Sequence, residues 1–257
     1  MGIINVTPDS FSDGGKHGDP VGAAMALVEQ GADLIDIGGE STRPGAATIP
    51  ISEEIARIRP VVAALASRGV VVSIDTRNAE TMRVALEEGA RIVNDVTALA
   101  YDPDAAGVVA RLGCPVVLMH MRGGPETMNA LADYADVVAD VKRELHASVA
   151  HAEAAGIARD KIAIDPGIGF AKTAEHNILL LRHLEDLAEP DLSMLVGVSR
   201  KGFIGALSGE PDPAKRAGGS VAAALFAIQR GAAILRVHDV AETVQAIRVW
   251  RGLAGLS

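Results

Sequence analysis

The chain has 257 residues, of which 49% are hydrophobic and only 3% aromatic, and its formal net charge at pH 7 is −9. This acidity argues against a nucleic-acid-binding surface, because such binding depends on Lys and Arg side chains that neutralise phosphates. The chain has no uninterrupted apolar stretch of about 18 residues and no signal-peptide pattern at its start, so we expect a soluble, cytoplasmic protein without membrane contact.

Short β-branched runs alternate along the chain with longer stretches of helical period, the pattern of repeated βα units. Eight strands are predicted, at Gly2 to Val6, Asp33 to Ile37, Val70 to Ile74, Arg91 to Val96, Pro115 to Met119, Lys161 to Ile164, Met194 to Val198 and Ala232 to Val237. A predicted helix follows each strand, near 20–31, 52–68, 78–88, 103–112, 133–155, 174–188, 213–230 and 240–252.

The spacing of these units decides between two architectures. Length alone allows one or two domains, and a doubly wound open sheet is the alternative to a closed barrel. Eight evenly spaced units without a dominant glycine-rich dinucleotide loop favour one parallel (β/α)₈ barrel, an α/β fold, over residues 1–257.

Polar side chains lie at the carboxyl end of every predicted strand or directly after it. In a barrel the carboxyl ends of all strands converge on one mouth, so these side chains are expected to be neighbours. A single Asp or Asn after a strand could instead cap the next helix. Polar groups at all eight ends are harder to explain as caps, and we interpret them as one site. They are Asn5, Asp36 with Glu40, Asp75, Asn94 with Asp95, His120, Asp165, Ser199 to Lys201, and Arg236 with His238.

The chemistry of these groups indicates a polar ring that carries a phosphate ester. Asp75, Asn94 and Asp165 suit the edge of a nitrogen heterocycle, because a carboxylate accepts two parallel N–H bonds. Barrels often bind phosphate in the loops after strands seven and eight. Six basic side chains are predicted around the same mouth: Arg43, Lys172, Arg200, Lys201, Arg236 and His238.

Three loops are predicted to take part in the site. Residues 5–15 contain one aromatic, Phe11, and residues 38–45 place an arginine beside proline and three glycines. Long glycine-bearing loops at a barrel mouth are typical of lids that exclude water, although an ordered surface loop is the alternative. Residues 165–173 bring glycine backbone towards a ligand and offer Phe170 as a wall. The small-residue face of the predicted helix 213–230 is expected to pack within the chain or against a second copy.

Seven segments together resemble the dihydropteroate synthases, and the resemblance covers nearly the whole chain. The segments are NVTPDSFSDGG, IGGESTRPG, SIDT, VNDV, DPGIGFAKT, GVSRKGFIG and RVHDV. The resemblance implies a homodimer that joins 6-hydroxymethyl-7,8-dihydropterin diphosphate to p-aminobenzoate, with Mg²⁺ bound to the diphosphate. Pyrophosphate and 7,8-dihydropteroate would be the products, and sulfonamides would inhibit. No insertion of a kind that excludes sulfonamides is apparent, so ordinary sensitivity is expected.

The resemblance also assigns roles to individual residues. Those implied to hold the pterin are Asp75, Asn94, Asp165 and Lys201. The diphosphate would contact Asn5, Arg236 and His238, and Asn5 is the implied Mg²⁺ ligand. The walls around p-aminobenzoate would be Phe11, Pro44, Phe170 and Ser199. The residues implied to act in catalysis are Asp13, Thr42, Arg43 and Lys201.

The implied reaction is SN1-like. Arg236, His238, Arg43 and Mg²⁺ would stabilise charge on the departing diphosphate, and the amine would then attack a cationic pterin. Two other functions are compatible with parts of the pattern. A methyltetrahydrofolate methyltransferase domain shares the fold but does not need the STRPG and SRK segments. A catalytically silent pterin-binding paralogue would have lost loop residues that are intact here.

Overall fold

The computed structural model describes residues 1–7, 19–41 and 46–255, which form eight strands and nine α-helices. The strands are β1 (Gly2–Asn5), β2 (Ile35–Gly38), β3 (Val72–Asp75), β4 (Ile92–Asp95), β5 (Val116–Met119), β6 (Ile162–Asp165), β7 (Ser193–Val196) and β8 (Ile234–Leu235). The helices are α1 (Pro20–Glu29), α2 (Ile51–Ala66), α3 (Ala79–Glu87), α4 (Ala105–Leu112), α5 (Val137–Ala154), α6 (Ala174–Arg182), α7 (Gly202–Ser208), α8 (Ala217–Ile228) and α9 (Val240–Leu253).

The strands form one parallel sheet in the order β1 to β8, and the sheet closes on itself. Gly2 forms a parallel bridge to Val237, just after β8, and the amide of Ile3 donates to the carbonyl oxygen of Val237 at 3.2 Å. The predicted (β/α)₈ barrel is therefore confirmed. All the strand ends that carry the predicted polar residues lie at one mouth, as this topology requires.

Apolar side chains fill both sides of the sheet. Outward-facing residues such as Ile35, Ile37 and Ile74 are fully buried under the helices. A second cluster fills the barrel interior: it consists of Met1, Val117 and Leu195, with Leu34, Ile92, Ala163 and Ile234 packed against it. Because parallel strands are covered on both faces, this small aliphatic set is sufficient for the core despite the scarcity of aromatic residues.

The structure differs from the sequence prediction around the seventh unit. The predicted helix 213–230 begins later, at Ala217, after a short 3₁₀ turn over Pro213–Lys215. Helix α7, over Gly202–Ser208, was not predicted at all. Most predicted strands and helices are also a few residues longer than the observed ones.

The small-residue face of α8 has a partner within the chain. A Cβ atom built on Gly219 would lie 2.4 Å from Cγ2 of Ile204 in α7, so the glycine allows close helix contact. Helix α8 also packs against α9. Dimerisation stays a prediction. Among the helices of the described residues, none is long and apolar enough to cross a lipid bilayer.

Candidate active site

Four polar side chains from distant parts of the chain form one buried group at the barrel mouth. Arg236, which follows β8, donates from Nε to Oδ2 of Asp36 at 2.6 Å and from Nη2 to Oδ2 of Asp75 at 2.7 Å. Asn94 donates from Nδ2 to the same Asp36 oxygen at 3.1 Å. Polar side chains thus connect β2, β3 and β4 with the segment that follows β8. Both acidic residues accept hydrogen bonds from one guanidinium group.

Two carboxylate oxygens in this group have spare hydrogen-bonding capacity. Oδ1 of Asp36 and Oδ1 of Asp75 are buried and have no hydrogen-bond partner among the described residues. Burial raises the pKa of Asp75 to about 7, although Arg236 acts in the opposite direction. A buried acceptor without a partner costs about 1–3 kcal/mol. A ligand that brings an N–H donor to Asp75 would remove this cost.

Asn5 lies beside this group at the end of β1. A Cβ atom built on Gly38 would be 3.6 Å from both Oδ1 of Asn5 and Oδ2 of Asp75. A methyl group at position 38 would thus be in van der Waals contact with both side chains, so the glycine leaves a gap of about that size between the amide of Asn5 and the carboxylate of Asp75. This is the region of the mouth where the predicted diphosphate residues and pterin residues meet.

Asp165 ends β6 and is 5% exposed. Its Oδ1 atom accepts a hydrogen bond of 2.7 Å from the backbone amide of Gly167. Burial raises the pKa of Asp165 to about 6, while the Gly167 N–H and the Lys201 ammonium act in the opposite direction. The folded chain thus places a carboxyl group at the mouth whose ionisation is balanced close to neutral pH.

Lys201 follows β7, the strand that pairs with the strand of Asp165. Its Nζ atom is 4.2 Å from the centre of the Phe170 ring, a cation–π contact. Burial lowers the pKa of Lys201 to about 8, and the nearby Asp165 carboxylate acts in the opposite direction. Gly169 allows this approach, because a Cβ atom there would be 2.9 Å from Cδ of Lys201. The predicted pterin and p-aminobenzoate residues therefore meet at Lys201.

Ser199, which follows β7, is in direct contact with His238, which follows β8. The amide of His238 donates to Oγ of Ser199 at 3.1 Å, and Nδ1 of His238 is 3.0 Å from the same oxygen. The hydroxyl of Ser199, predicted to contact p-aminobenzoate, is thus engaged with a residue predicted to bind diphosphate. Arg200 was predicted to add positive charge at the mouth, but its guanidinium is bonded to both oxygens of Asp239, at 3.1 and 2.5 Å.

A second buried polar cluster lies behind the loop of residues 165–173. Lys172 contacts Nδ1 of His120 at 2.9 Å, and Nε2 of His120 contacts Oε2 of Glu144 at 2.8 Å. Sequence analysis placed Lys172 and His120 at the mouth as separate groups and missed their contact. The position of His120 directly after β5 indicated a functional group at the mouth. Nothing in the sequence indicated that Lys172 would be its partner.

Five of the predicted site residues cannot be placed, because they lie outside the described residues. They are Phe11 and Asp13 of the first loop and Thr42, Arg43 and Pro44 of the second. Their roles stay predictions. The loop that contains the last three is flanked by Glu40, whose Oε1 accepts the amide of Ile49 at 3.1 Å and whose Oε2 is 3.1 Å from Arg77.

The donors around Asn5 are compatible with Mg²⁺ that arrives with a diphosphate. Mg²⁺ prefers oxygen ligands and usually keeps water or substrate phosphate oxygens in its shell. Asn5 contributes an amide oxygen beside the space above Gly38. Among the described residues no group of three His, Cys, Asp or Glu side chains could hold a metal ion.

Comparison with known proteins places the chain in a family. Residues 1–238 match the model of the family described as pterin binding enzyme. The chain is 48% identical over 253 residues to a dihydropteroate synthase of Escherichia coli, and the match covers 97% of this chain and 89% of that protein.

Solved structures agree with this match. A dihydropteroate synthase from Xanthomonas albilineans with 4-aminobenzoic acid has a TM-score of 0.94 and 49% identity, over 100% of this chain and 93% of the other. A Yersinia pestis dihydropteroate synthase in a sulfonamide drug complex has a TM-score of 0.93 and 46% identity, over 99% of this chain and 94% of the other. The chain therefore belongs to the pterin-binding enzymes and, within them, to the dihydropteroate synthase family.

Proposed function

We propose that this enzyme joins 6-hydroxymethyl-7,8-dihydropterin diphosphate to p-aminobenzoate and releases pyrophosphate and 7,8-dihydropteroate. The observation that carries the proposal is the arrangement around Lys201, whose ammonium lies over the Phe170 ring and close to the buried Asp165 carboxylate. A polar ring bound to Asp165 and an aromatic amine bound along Phe170 would then meet at one lysine.

The pterin ring would be recognised by the buried carboxylates. Asp165 has only one of its two oxygens occupied by the Gly167 amide, and Asp75 keeps a buried Oδ1 without a partner among the described residues. Amino and ring N–H groups of a pterin would satisfy these acceptors, and Asn94 adds an amide to the same edge of the site. The ordering of the carboxylates by Arg236 before binding reduces the cost of reorganisation.

The diphosphate would lie between Asn5 and the segment that follows β8. Arg236 uses Nε and Nη2 for Asp36 and Asp75, and Nη1, which has no hydrogen bond to the described residues, is available to an anion. His238 follows two positions later and is oriented by its two contacts with Ser199. Mg²⁺, held by Asn5 and the diphosphate itself, would neutralise charge on the leaving group.

The proposed course is SN1-like. The bond from the pterin methylene carbon to the diphosphate oxygen breaks, and its electron pair leaves with pyrophosphate. The buried carboxylates Asp75 and Asp165 stabilise the positive charge that develops on the pterin. The amine nitrogen of p-aminobenzoate then forms the new C–N bond and loses a proton. Lys201 holds the two reacting partners in position.

The test is an assay of dihydropteroate formation by the purified protein with Mg²⁺ and both substrates. Asn5→Ala and Lys201→Ala are expected to abolish activity while leaving the melting temperature near that of the wild type. Lys142→Ala is the matched control, because Lys142 is a half-buried lysine outside the mouth whose ammonium donates to the carbonyl oxygen of Asp186 at 2.7 Å. A wild-type protein that binds pterin but forms no product would instead be a silent pterin-binding paralogue.

The SN1-like course has its own test. Pyrophosphate release without p-aminobenzoate should be slow but measurable, and Asp165→Asn should slow it further, because a stabilising carboxylate is lost. Cleavage that depends wholly on the amine would contradict this course.

We also propose that sulfonamides compete with p-aminobenzoate at the Phe170 wall. This rests on their chemical similarity to the substrate and on the related enzyme that binds such a drug. A sulfonamide that leaves the KM for p-aminobenzoate unchanged would contradict it. Assembly as a homodimer and a cytoplasmic location stay predictions from the sequence.

A further inference from the structure

Lys172 is a half-buried lysine whose ammonium form has an acceptor for each of its three N–H groups, and burial lowers its pKa to about 7. Nζ lies 2.9 Å from Nδ1 of His120, 2.9 Å from the carbonyl oxygen of Phe170 and 3.4 Å from the carbonyl oxygen of His120. Three protein acceptors around three donors leave no N–H for a substrate. Lys172 therefore differs from Lys201, which faces the mouth.

The contact with Lys172 fixes the tautomer of His120. Because Nδ1 accepts a hydrogen bond from the ammonium, the ring proton must be on Nε2, from which it is donated to Oε2 of Glu144 at 2.8 Å. Burial lowers the pKa of His120 to about 4, which keeps the ring neutral. Arg122 holds the other end of this chain of contacts, with Nη2 2.5 Å from Oε1 of Glu144.

The carbonyl oxygen that Lys172 holds belongs to a strained turn. Ala171, between Phe170 and Lys172, has a φ of +47°, a conformation that is unfavourable for a residue with a Cβ atom. Such strain persists only where the surroundings impose it. Here both neighbouring carbonyl oxygens are held: that of Phe170 by Lys172, and that of Ala171 by the hydroxyl of Tyr134 at 2.9 Å.

This turn carries the aromatic ring that faces Lys201. The Phe170 ring is the wall proposed for p-aminobenzoate, so any rotation of the Phe170–Ala171 peptide would move that wall. Asp165 is anchored separately, through the Gly167 amide. Lys172 hydrogen-bonds the half with Phe170 and acts on Asp165 through its charge, and the Phe170 amide joins the two halves by donating to the carbonyl oxygen of Gly167 at 3.0 Å.

We propose that Lys172 is a positioning residue for the aromatic amine, because its ammonium joins His120 to the Phe170 carbonyl and so holds the strained turn that presents the Phe170 ring. The proposal rests on the function proposed above. His120 acts through Lys172, and Glu144 acts through His120.

The first experiment separates the two substrates in steady-state kinetics. Lys172→Met is expected to raise the KM for p-aminobenzoate roughly tenfold, equivalent to the loss of about one net hydrogen bond. The KM for the pterin diphosphate should change by less than about twofold. Lys142→Met is the control and should leave both values unchanged, because Lys142 is also a half-buried lysine that bonds a backbone carbonyl but lies outside the mouth. Equal increases in both KM values would overturn the proposal.

A pair of His120 variants tests the same contact without removing the lysine. His120→Asn keeps an acceptor near the position of Nδ1, whereas His120→Leu removes it. We expect His120→Leu to reproduce the selective increase in KM for p-aminobenzoate and His120→Asn to retain most of the wild-type affinity. If the two variants behave alike, His120 does not act through Lys172 and the proposal is wrong. This pair also serves if Lys172→Met does not fold.

A measurement without substrates separates this proposal from the proposed function. Amide hydrogen exchange over residues 166–173 should be faster in Lys172→Met than in the wild type, while exchange over β6 stays the same. This outcome would support the positioning of the turn even if the wild-type protein formed no dihydropteroate. Unchanged exchange over residues 166–173 would overturn it even in an active enzyme.

Discussion

Asp165 is a residue whose placement favours ligand recognition at the expense of stability. Its carboxyl group is buried at the end of β6, and burial outweighs the favourable contacts with the Gly167 amide and Lys201, so that its pKa rises to about 6. In the unfolded chain the pKa returns to the ordinary value of 3.8. Ionising the folded form near neutral pH therefore costs free energy, which a bound N–H donor would offset.

Asp165→Asn is accordingly expected to become more stable relative to the wild type as pH rises. Between pH 4 and pH 7 the folded wild type binds more protons at this position than the unfolded chain, so its free energy of unfolding falls with pH. The variant has no ionisable group at this position, so its free energy of unfolding does not fall with pH for this reason. Because the pKa rises by about two units, the difference should grow by roughly 3 kcal/mol over this range.

Urea unfolding of both proteins across the pH range measures this difference. Asp160→Asn, at an exposed position, controls for the change of charge alone. A difference between Asp165→Asn and the wild type that is constant or shrinks towards pH 7 would show that burial does not destabilise the ionised carboxylate.

At this scale the sequence predicts positions better than contacts. Asp75, Asn94 and Asp165 were placed at the mouth because each lies at the carboxyl end of an apolar strand. That Arg236 bonds Asp36, 200 positions away, could not be predicted, because which oxygen a guanidinium reaches depends on the final packing. The same applies to Lys172 and His120, which are 52 positions apart.

Among the elements, the loop of residues 165–173 depends on close backbone contacts that only glycine permits. Gly167 has a φ of +67°, and a Cβ atom built on it would be 1.9 Å from the carbonyl oxygen of His120. The obstacle is backbone, so a small side-chain movement cannot relieve it. Sequence analysis expected the glycines of this loop to bring backbone towards a ligand, and the structure gives Gly167 a steric reason within the protein itself.

Gly167→Ala is expected to destabilise the fold by more than about 2 kcal/mol and to abolish activity, because strain and a backbone clash add together. Gly107→Ala is the matched control. Gly107 lies in α4 with nothing within 4 Å of an added Cβ atom, so alanine should stabilise that helix by up to about 1 kcal/mol. Denaturant unfolding measures whether Gly167→Ala lowers and Gly107→Ala raises the free energy of unfolding. Equal stability of the two variants would contradict the expected clash.

The helix that sequence analysis missed shows why short elements are hard to predict. Helix α7 has seven residues, two of them glycines, and its intrinsic propensity is low. Its position depends on a side chain from the following segment: Arg216 donates to the carbonyl oxygens of Arg200, Lys201, Glu210 and Pro211. The longer helices were predicted because their apolar residues repeat over several turns and need no such partner.

For the whole molecule, the closure of the barrel between β8 and β1 joins the fold to the site. Strand β8 has only two residues, and the contact with β1 consists of the Gly2–Val237 bridge and the hydrogen bonds around it. Asn5 and Arg236 lie just beyond this seam on opposite sides. A diphosphate bound between them would connect the first and last strands and so stabilise the closed barrel.

Amide hydrogen exchange should therefore detect ligand binding at the seam. In the free protein the amides of Ile3 and Val237, which donate across the seam at 3.2 and 3.0 Å, are expected to exchange faster than that of Val93 in the middle of the sheet. Pyrophosphate with Mg²⁺ should slow exchange at Ile3 and Val237 severalfold and leave Val93 unchanged. Asn5→Ala should remove this protection, because one side of the bridge is lost. Uniform protection of all three amides would mean that the ligand stabilises the whole fold and does not act at the seam.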